Sequence, residues 1–153
     1  MEINEPNKDY NAPMHTAEHI INQTMVRMFG TGRSVSNHIE KKKSKVDYKI
    51  NRELTAEEIT GLEMEVNRIV SLNLDVRESF VSRVEAERRV NTDKLPAEAG
   101  DVVRIISVGD YDHCPCIGLH VKNTSEIGGI KIISSDFDPE RNILRIRYKI
   151  AVT

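Results

Sequence analysis

Two pairs of potential metal ligands, one near each end of the chain, constrain the fold more than any other feature. His15 and His19 are four residues apart in a segment with apolar residues at helical spacing, so they share one helix face. Cys116 and His120 form a second pair with the same spacing. Imidazole and thiolate are both good ligands for zinc. We therefore predict that the fold brings the two pairs together around one zinc ion.

The residues leave three interpretations of these pairs open. Each pair alone also occurs as a surface histidine pair, or as a buried cysteine beside a histidine. If all four side chains bind one ion, the coordination shell is full, which is typical of a structural zinc that joins the N-terminal helix to a C-terminal loop. The segment from His15 to His19 also matches the His-x-x-Glu-His pattern of zinc peptidases, with Glu18 as the general base. That interpretation leaves Cys116 and His120 without a role.

Composition limits the class of protein. The length of 153 residues suits one domain, and 39% hydrophobic with 30% charged residues is typical of a globular protein. No apolar run is long enough to span a membrane, and the polar N-terminus does not resemble a signal peptide, so we expect a cytoplasmic protein. Reduced thiols there favour Cys116 as a metal ligand over a disulfide with Cys114. His113 and Cys114 are given no role.

The pattern along the chain predicts an α+β fold. We expect a polar N-terminal arm over residues 1–13 and one domain over residues 14–153, with two main helices packed as a sandwich on a largely antiparallel sheet. The first helix is predicted from about His15 to Phe29. The second begins at a capping box formed by Thr55 and Glu58 and ends near residues 72–74.

Strand and loop predictions complete this outline. Alternating residues predict a hairpin over residues 35–39 and 46–50, and apolar runs predict further strands. These strands cover residues 76–81, 102–106, 129–135 and 142–152. A short helix is predicted over residues 83–92, a loop over 95–100, and an irregular loop over 110–116.

The hairpin turn is the most basic part of a chain whose net charge is −2. Contact with nucleic acid therefore requires a local patch. The turn carries the candidate RNA-binding residues Lys41, Lys42, Lys43 and Lys45. A solvated hairpin tip explains them equally well. A second basic surface is the outward face of the last strand, with Arg145, Arg147 and Lys149.

Several longer stretches extend the pattern around the ligand pairs. They are residues 14–20, residues 36–39 with 46–48, residues 115–121, and residues 123–128 leading into 130–132. In this order the chain resembles the editing domain of alanyl-tRNA synthetase and its stand-alone relatives, the AlaX group. The editing module of threonyl-tRNA synthetase is a more distant relative. One departure is Cys116-Ile117-Gly118-Leu119-His120, where the family usually has Cys-Gly-Gly-Thr-His.

The resemblance implies a function. It implies a zinc-dependent hydrolase that deacylates mischarged tRNA, chiefly seryl or glycyl esters of alanine tRNA, with zinc held by the four predicted ligands. Thr16, His38 and Asp112 match family positions near the substrate pocket, and the resemblance implies that they contact substrate. The alternatives are a zinc-stapled RNA-binding module without catalysis and a small zinc peptidase. Mischarged tRNA is the expected partner, and no membrane is expected.

Overall fold

A computed structural model describes residues 11–89 and 101–151 of the chain. The described helices are α1 (Ala12–Phe29), α2 (Ala56–Val70) and α3 (Arg83–Arg89). The described strands are β1 (Ser36–His38), β2 (Ser44–Lys49), β3 (Val76–Ser82), β4 (Val102–Val108), β5 (Asp112–Pro115), β6 (Gly129–Asp138) and β7 (Ile143–Ala151). These helices and antiparallel strands confirm the predicted α+β class.

Helix α1 is the central buried element. Asn11 caps its N-terminus by accepting a hydrogen bond from the Met14 N–H at 3.1 Å, and the helix ends at Gly30. Gly30 has φ of 68°, a left-handed conformation that glycine adopts without a steric cost. Almost the whole stretch from Met14 to Met25 is buried, so α1 contacts protein on most of its circumference. Side chains on this helix therefore have fixed surroundings.

The first sheet has the strand order β1-β2-β7-β6, and all of its pairs are antiparallel. It contains the predicted hairpin as β1 and β2. Val46, Tyr48 and Tyr148 are fully buried on its inner face. The Tyr148 hydroxyl donates to the carbonyl of Met14 in α1 at 2.9 Å, so this face of the sheet packs against α1. Strand residues that alternate with these three point to the opposite face of the sheet.

Helix α2 begins as the sequence predicts. Thr55 accepts from the Glu58 N–H at 3.1 Å and the Glu58 carboxylate accepts from the Thr55 N–H at 2.9 Å, which is a capping box. The Asn67 side chain both donates to and accepts from the backbone of Ile130, each at 2.8 Å. These two bonds join α2 to β6. Helix α2 thus contacts β6, the edge strand of the first sheet, through specific polar bonds as well as through its apolar residues.

The remaining strands form a second sheet with the order β3-β4-β5. The sequence predicts one sheet, whereas in residues 11–89 and 101–151 no strand of this second sheet pairs with the first. The irregular loop predicted over residues 110–116 was wrong. Its residues Asp112–Pro115 form β5, which pairs antiparallel with β4 in the register Ile106↔Cys114 and Val108↔Asp112. The strand results from this long-range pairing, which the polar local sequence does not indicate.

Some predictions fall partly outside the described residues. The first ten residues of the predicted arm, residues 90–92 of the predicted short helix and the loop over 95–100 are among them. Ala12 and Pro13 belong to α1, so the helix starts before the predicted domain boundary, which itself stays a prediction. Among the described helices, none has the length and apolar character needed to cross a membrane.

Candidate metal centre

The fold brings the two predicted ligand pairs together. His15 and His19 lie on α1, and Cys116 and His120 lie in the segment that follows β5. One potential ligand atom from each of the four residues lies within 4.8 Å of every other. The Cys116 Sγ is 3.4 Å from Nε2 of His15 and 3.4 Å from Nε2 of His120. A tetrahedral zinc with ordinary bond lengths places its ligand atoms roughly 3.3–3.8 Å apart, so these spacings fit one ion.

Hydrogen bonds to the far ring nitrogens orient two of the imidazoles. Nδ1 of His15 lies 3.2 Å from the carbonyl oxygen of Leu119, which accepts only if that nitrogen carries the proton. Nδ1 of His120 lies 2.9 Å from the Thr16 hydroxyl, which also accepts from the Val121 N–H at 3.2 Å. In the tautomer with the proton on Nδ1, each ring presents its Nε2 lone pair to the Cys116 side of the cluster, which is the form that a metal ion would bind. Such outer partners commonly accompany histidines that bind metals.

The third imidazole faces a buried carboxylate. Nδ1 of His19 lies 3.5 Å from Oδ2 of Asp112, which is longer than an ordinary hydrogen bond but within range of a strong charge interaction. Asp112 is fully buried and accepts two bonds from the Arg33 guanidinium, at 2.6 and 3.2 Å. The bonds from Arg33 fix the position of the Asp112 carboxylate. In this position the carboxylate favours the orientation of His19 in which Nδ1 faces Asp112 and Nε2 faces the cluster.

Arg104 of β4 positions the segment that carries Cys116. Its Nη1 donates to the carbonyls of Cys116 and Gly118, both at 2.9 Å, and its Nε donates to Glu78 at 2.7 Å. The Cys116 N–H in turn donates to the Arg104 carbonyl at 3.2 Å. The curved path of the chain from Cys116 to His120 is therefore held by a side chain of the neighbouring strand.

The electrostatics of the cluster favour a bound cation. Burial alone would raise the pKa of the Cys116 thiol, but the charge of His19 and hydrogen bonds from His120, His15 and His19 outweigh it and lower the pKa to about 2. Burial is also the main reason why the pKa of His120 falls to about 3, which keeps that ring neutral. A thiolate and a neutral imidazole are the ligand forms that zinc requires. Burial disfavours the charged form of His19, but the charge of Cys116 and a hydrogen bond to Asp112 raise its pKa, so a bound cation would replace the proton that His19 carries beside the thiolate. The donor types present therefore fit a zinc ion.

Glu18 lies beside the cluster in a buried polar network. Its Oε1 is 3.7 Å from Nε2 of His15, and its Oε2 accepts from the Asn22 side chain. The Asn22 carbonyl oxygen in turn accepts from the Tyr48 hydroxyl at 2.6 Å and from the Ser34 N–H at 3.3 Å. Glu18 is only 4% exposed. The network thus fixes a carboxylate next to the predicted ligands.

The three predicted substrate residues lie in different places. Thr16 and Asp112 are buried behind the ligand rings, where they contact His120 and His19. His38 lies on the exposed edge strand β1 and bonds to Glu40. Their roles toward substrate stay predictions.

The basic turn divides in the structure. Lys41, Lys42 and Lys43 precede β2, whereas Lys45 lies within β2 opposite Arg147 of β7. All are on the surface of the first sheet or its hairpin connection. Binding of RNA by these lysines stays a prediction.

Sequence reasoning missed Arg33, Arg104 and Asn22, which support the site without belonging to it. Asn22 lies one helical turn after Glu18, a spacing that can be found from sequence. Arg33 and Arg104 contact residues far away in the chain, at separations of 79 for Arg33–Asp112 and 12 to 14 for Arg104, with no local pattern to mark them.

Comparison with known proteins places this site in a family. Residues 103–146 match the family of the threonyl and alanyl tRNA synthetase second additional domain. An alanine–tRNA ligase from Fervidobacterium nodosum is 33% identical over 121 residues, covering 78% of this chain and 14% of the ligase. The alanyl-tRNA editing protein AlaX-L from Pyrococcus horikoshii is 29% identical over 138 residues, covering 90% of this chain and 33% of that protein.

The matched residues run from β4 into the first residues of β7 and include Cys116 and His120, which the fold brings close to His15 and His19 of α1. This part of the chain therefore matches the second additional domain family. The chain is also similar to alanine–tRNA ligases and to an alanyl-tRNA editing protein. It spans a third or less of the length of these relatives.

Proposed function

We propose that this chain hydrolyses the ester bond of mischarged tRNA at the centre formed by His15, His19, Cys116 and His120. The observation that carries the proposal is this partly buried cluster, with ligand atoms within 4.8 Å of one another, in a chain similar to AlaX-L. Zinc is the proposed cofactor. When bound there it supplies a Lewis-acidic centre that polarises an ester carbonyl or holds a polar group of the substrate.

The proposed substrate is a seryl or glycyl ester of alanine tRNA. A synthetase pocket built for alanine rejects serine poorly, because an added hydroxyl changes discrimination by only about 10² in a hydrophobic pocket. A second site that binds the hydroxyl can discriminate by about 10⁴ or more. The cluster provides polar groups for such recognition, among them the Thr16 hydroxyl and the Glu18 carboxylate.

Several side chains of this chain have proposed supporting roles. Thr16 orients His120, and Asp112 held by Arg33 orients His19, so both act as positioning residues whatever further contact they make with substrate. Glu18, fixed by Asn22, lies where it can accept a hydrogen bond from the amino group or attacking water of a bound substrate. These groups are preorganised because their partners are buried with them.

A zinc-stapled RNA-binding module without catalysis is the alternative that the donor set favours. Four protein ligands complete a tetrahedron, and closed sites of this kind are usually structural. The buried Glu18 carboxylate argues for catalysis, since a structural site does not require a further carboxylate next to its ligands. The peptidase interpretation does not use the Cys116 and His120 donors that the fold places at the cluster.

The deciding experiment is a deacylation panel with the purified, zinc-loaded protein. Seryl, glycyl, alanyl and threonyl esters of alanine tRNA are incubated with the wild type and with the His19→Ala variant. We expect about one zinc per chain by metal analysis, hydrolysis of seryl or glycyl alanine tRNA, and loss of both zinc and hydrolysis in the variant. Cys114→Ala is the matched control. Because Cys114 is outside the cluster, this variant should keep both its zinc and its hydrolytic activity.

Two results would refute parts of this proposal. Full zinc occupancy in both His19→Ala and His120→Ala would remove the metal site. Zinc binding together with no hydrolysis of any ester would favour the structural alternative. Peptide cleavage that depends on Glu18, tested with Glu18→Gln, would instead support the peptidase.

A further inference from the structure

The outward face of the first sheet carries a basic cleft that lies apart from the metal cluster. Its volume is about 210 Å³, and it is lined by His38, Glu40, Lys43, Ser44, Lys45 and Arg147. Strand residues alternate between faces, so Lys45 and Arg147 point away from the side where Tyr48 and Tyr148 reach α1. The cleft and α1 are therefore on opposite sides of the sheet.

Cations are paired across the strands in this cleft. His38 of β1 is directly opposite Lys45 of β2, and Lys45 is directly opposite Arg147 of β7. Like charges at directly opposite positions destabilise a sheet. The next pair on the same face, Asp47 with Arg145, has opposite charges and hydrogen bonds of 2.8 and 2.9 Å. The sheet thus tolerates a repulsive pair beside an attractive one.

The acidic groups near the cleft do not neutralise it. Asp136 is bound to Arg147 at 2.8 Å, and Glu40 is bound to His38. Asp47, the acid next to Lys45 on β2, is occupied by Arg145. Within residues 11–89 and 101–151, no acidic side chain lies within ion-pair distance of Lys43 or Lys45. Among the described residues, Lys43 and Lys45 therefore face a concave surface without an ion pair of their own, and their charge would stabilise an anion bound there.

We propose that this cleft binds a backbone phosphate of the tRNA, with Lys43, Lys45 and Arg147 as its ligands. The inference rests on the proposed function and names the contact that holds its substrate. Phosphate is favoured because the lining offers two lysines, an arginine and a serine hydroxyl, but no Phe, Tyr or Trp ring on which a base could stack. Lys41 and Lys42 belong to the same hairpin but do not line the cleft. The phosphate contact thus involves only part of the basic turn.

Position predicts how this contact affects the reaction. Because the sheet separates the cleft from α1, a phosphate bound there does not reach the ester at the metal cluster. Its binding energy is the same in the ground state and the transition state. Loss of the contact should therefore raise KM and leave kcat unchanged.

The test compares two double variants with equal changes in charge. Lys43→Gln/Lys45→Gln removes two cleft lysines, and Lys41→Gln/Lys42→Gln removes two lysines outside it. Binding of an unacylated alanine tRNA transcript is measured over a series of salt concentrations. We expect the cleft variant to bind more weakly and its salt slope to fall by roughly 0.8, the value for one lost phosphate contact. The control should stay close to the wild type.

Every outcome bears on the proposal. Equal losses in the two double variants mean that general charge and not the cleft attracts RNA, and no loss in either means that the lysines are solvated. No binding by the wild type also overturns the inference. Circular dichroism and zinc content check that each variant is folded. If Lys43→Gln/Lys45→Gln is not folded, Lys43→Gln alone, at an exposed position, should show about half the change in salt slope.

This design separates the cleft from the chemistry. The transcript carries no ester, so its binding does not depend on whether the chain hydrolyses one. A chain that binds the transcript through the cleft but deacylates nothing would refute the proposed hydrolase and keep the phosphate site.

Discussion

The Thr16 hydroxyl contacts two parts of the C-terminal segment at once. It accepts from the Val121 N–H at 3.2 Å and lies 2.9 Å from Nδ1 of His120. Thr16 is fully buried, so neither partner has water as a substitute. The single side chain thus fixes the direction of one proposed zinc ligand.

We predict that Thr16→Val weakens zinc binding by about 10- to 100-fold, the usual effect of losing an outer partner of a ligand. Valine keeps the shape of threonine and removes only the hydroxyl. The measurement is competition with a zinc chelator. Thr24→Val is the matched control, since Thr24 is equally buried on α1 but bonds to the Ile20 carbonyl and the Tyr111 hydroxyl. Equal zinc affinity in the two variants would contradict the role of Thr16.

The ligands themselves could be found from sequence, but their partners could not. Both pairs have a spacing of four residues. This spacing places two side chains on the same face of a helix, and it also keeps two side chains close together in a short loop. Asp112 was singled out as a substrate contact only through resemblance. Its bonds to Arg33 join residues 79 positions apart, and this pairing has no signature in the local sequence. Long-range side-chain contacts of this type depend on the completed fold.

Helices were predicted more accurately than strands. The capping box at Thr55 and the end of the first helix at Phe29 are predictions that the structure confirms. Strand β5 was missed because its four residues Asp112–Pro115 are polar, include a proline and have no alternation. The division into two sheets was missed because strand partners are chosen by tertiary packing, which local periodicity does not encode.

The pair of β2 and β7 contains a buried ionic contact that should depend on pH. Arg145 donates two hydrogen bonds to Asp47, and Ser36 donates one. These bonds lower the pKa of the Asp47 carboxyl in the folded protein, although burial of the carboxyl acts in the opposite direction. A depressed folded pKa stabilises the protein above the pKa of the unfolded chain, about 3.9 for aspartate. That stabilisation is lost as the pH falls through the folded value.

We therefore predict that Asp47→Asn lowers the free energy of unfolding at neutral pH and reduces its dependence on acid. Urea unfolding of wild type and variant at several pH values below about 5 measures both effects. The two stability curves should approach each other as the pH falls. If the difference between the two stability curves stays constant over this range, the pKa of Asp47 is the same in the folded and the unfolded protein.

At the scale of the whole molecule, the candidate metal cluster joins segments that other contacts already hold in place. Cys116 and His15 are 101 residues apart in the chain. Yet α1 is anchored by the fully buried side chains of Met14, Ile20 and Met25, each of which contributes about 1.5–3 kcal/mol on burial. Arg104 independently holds the carbonyls of the Cys116 segment. The fold therefore does not depend on an ion to bring the two segments together.

This argument predicts that Cys116→Ala stays folded, loses zinc and no longer hydrolyses charged tRNA. Circular dichroism and urea unfolding report the fold, metal analysis reports the zinc, and single-turnover hydrolysis reports the chemistry. Cys114→Ala should retain all three, because Cys114 lies two residues away in β5 and its thiol donates only to the Pro115 carbonyl. If Cys116→Ala instead unfolds, and activity falls only in proportion to the folded fraction, zinc is a structural staple and the catalytic assignment of the centre is wrong.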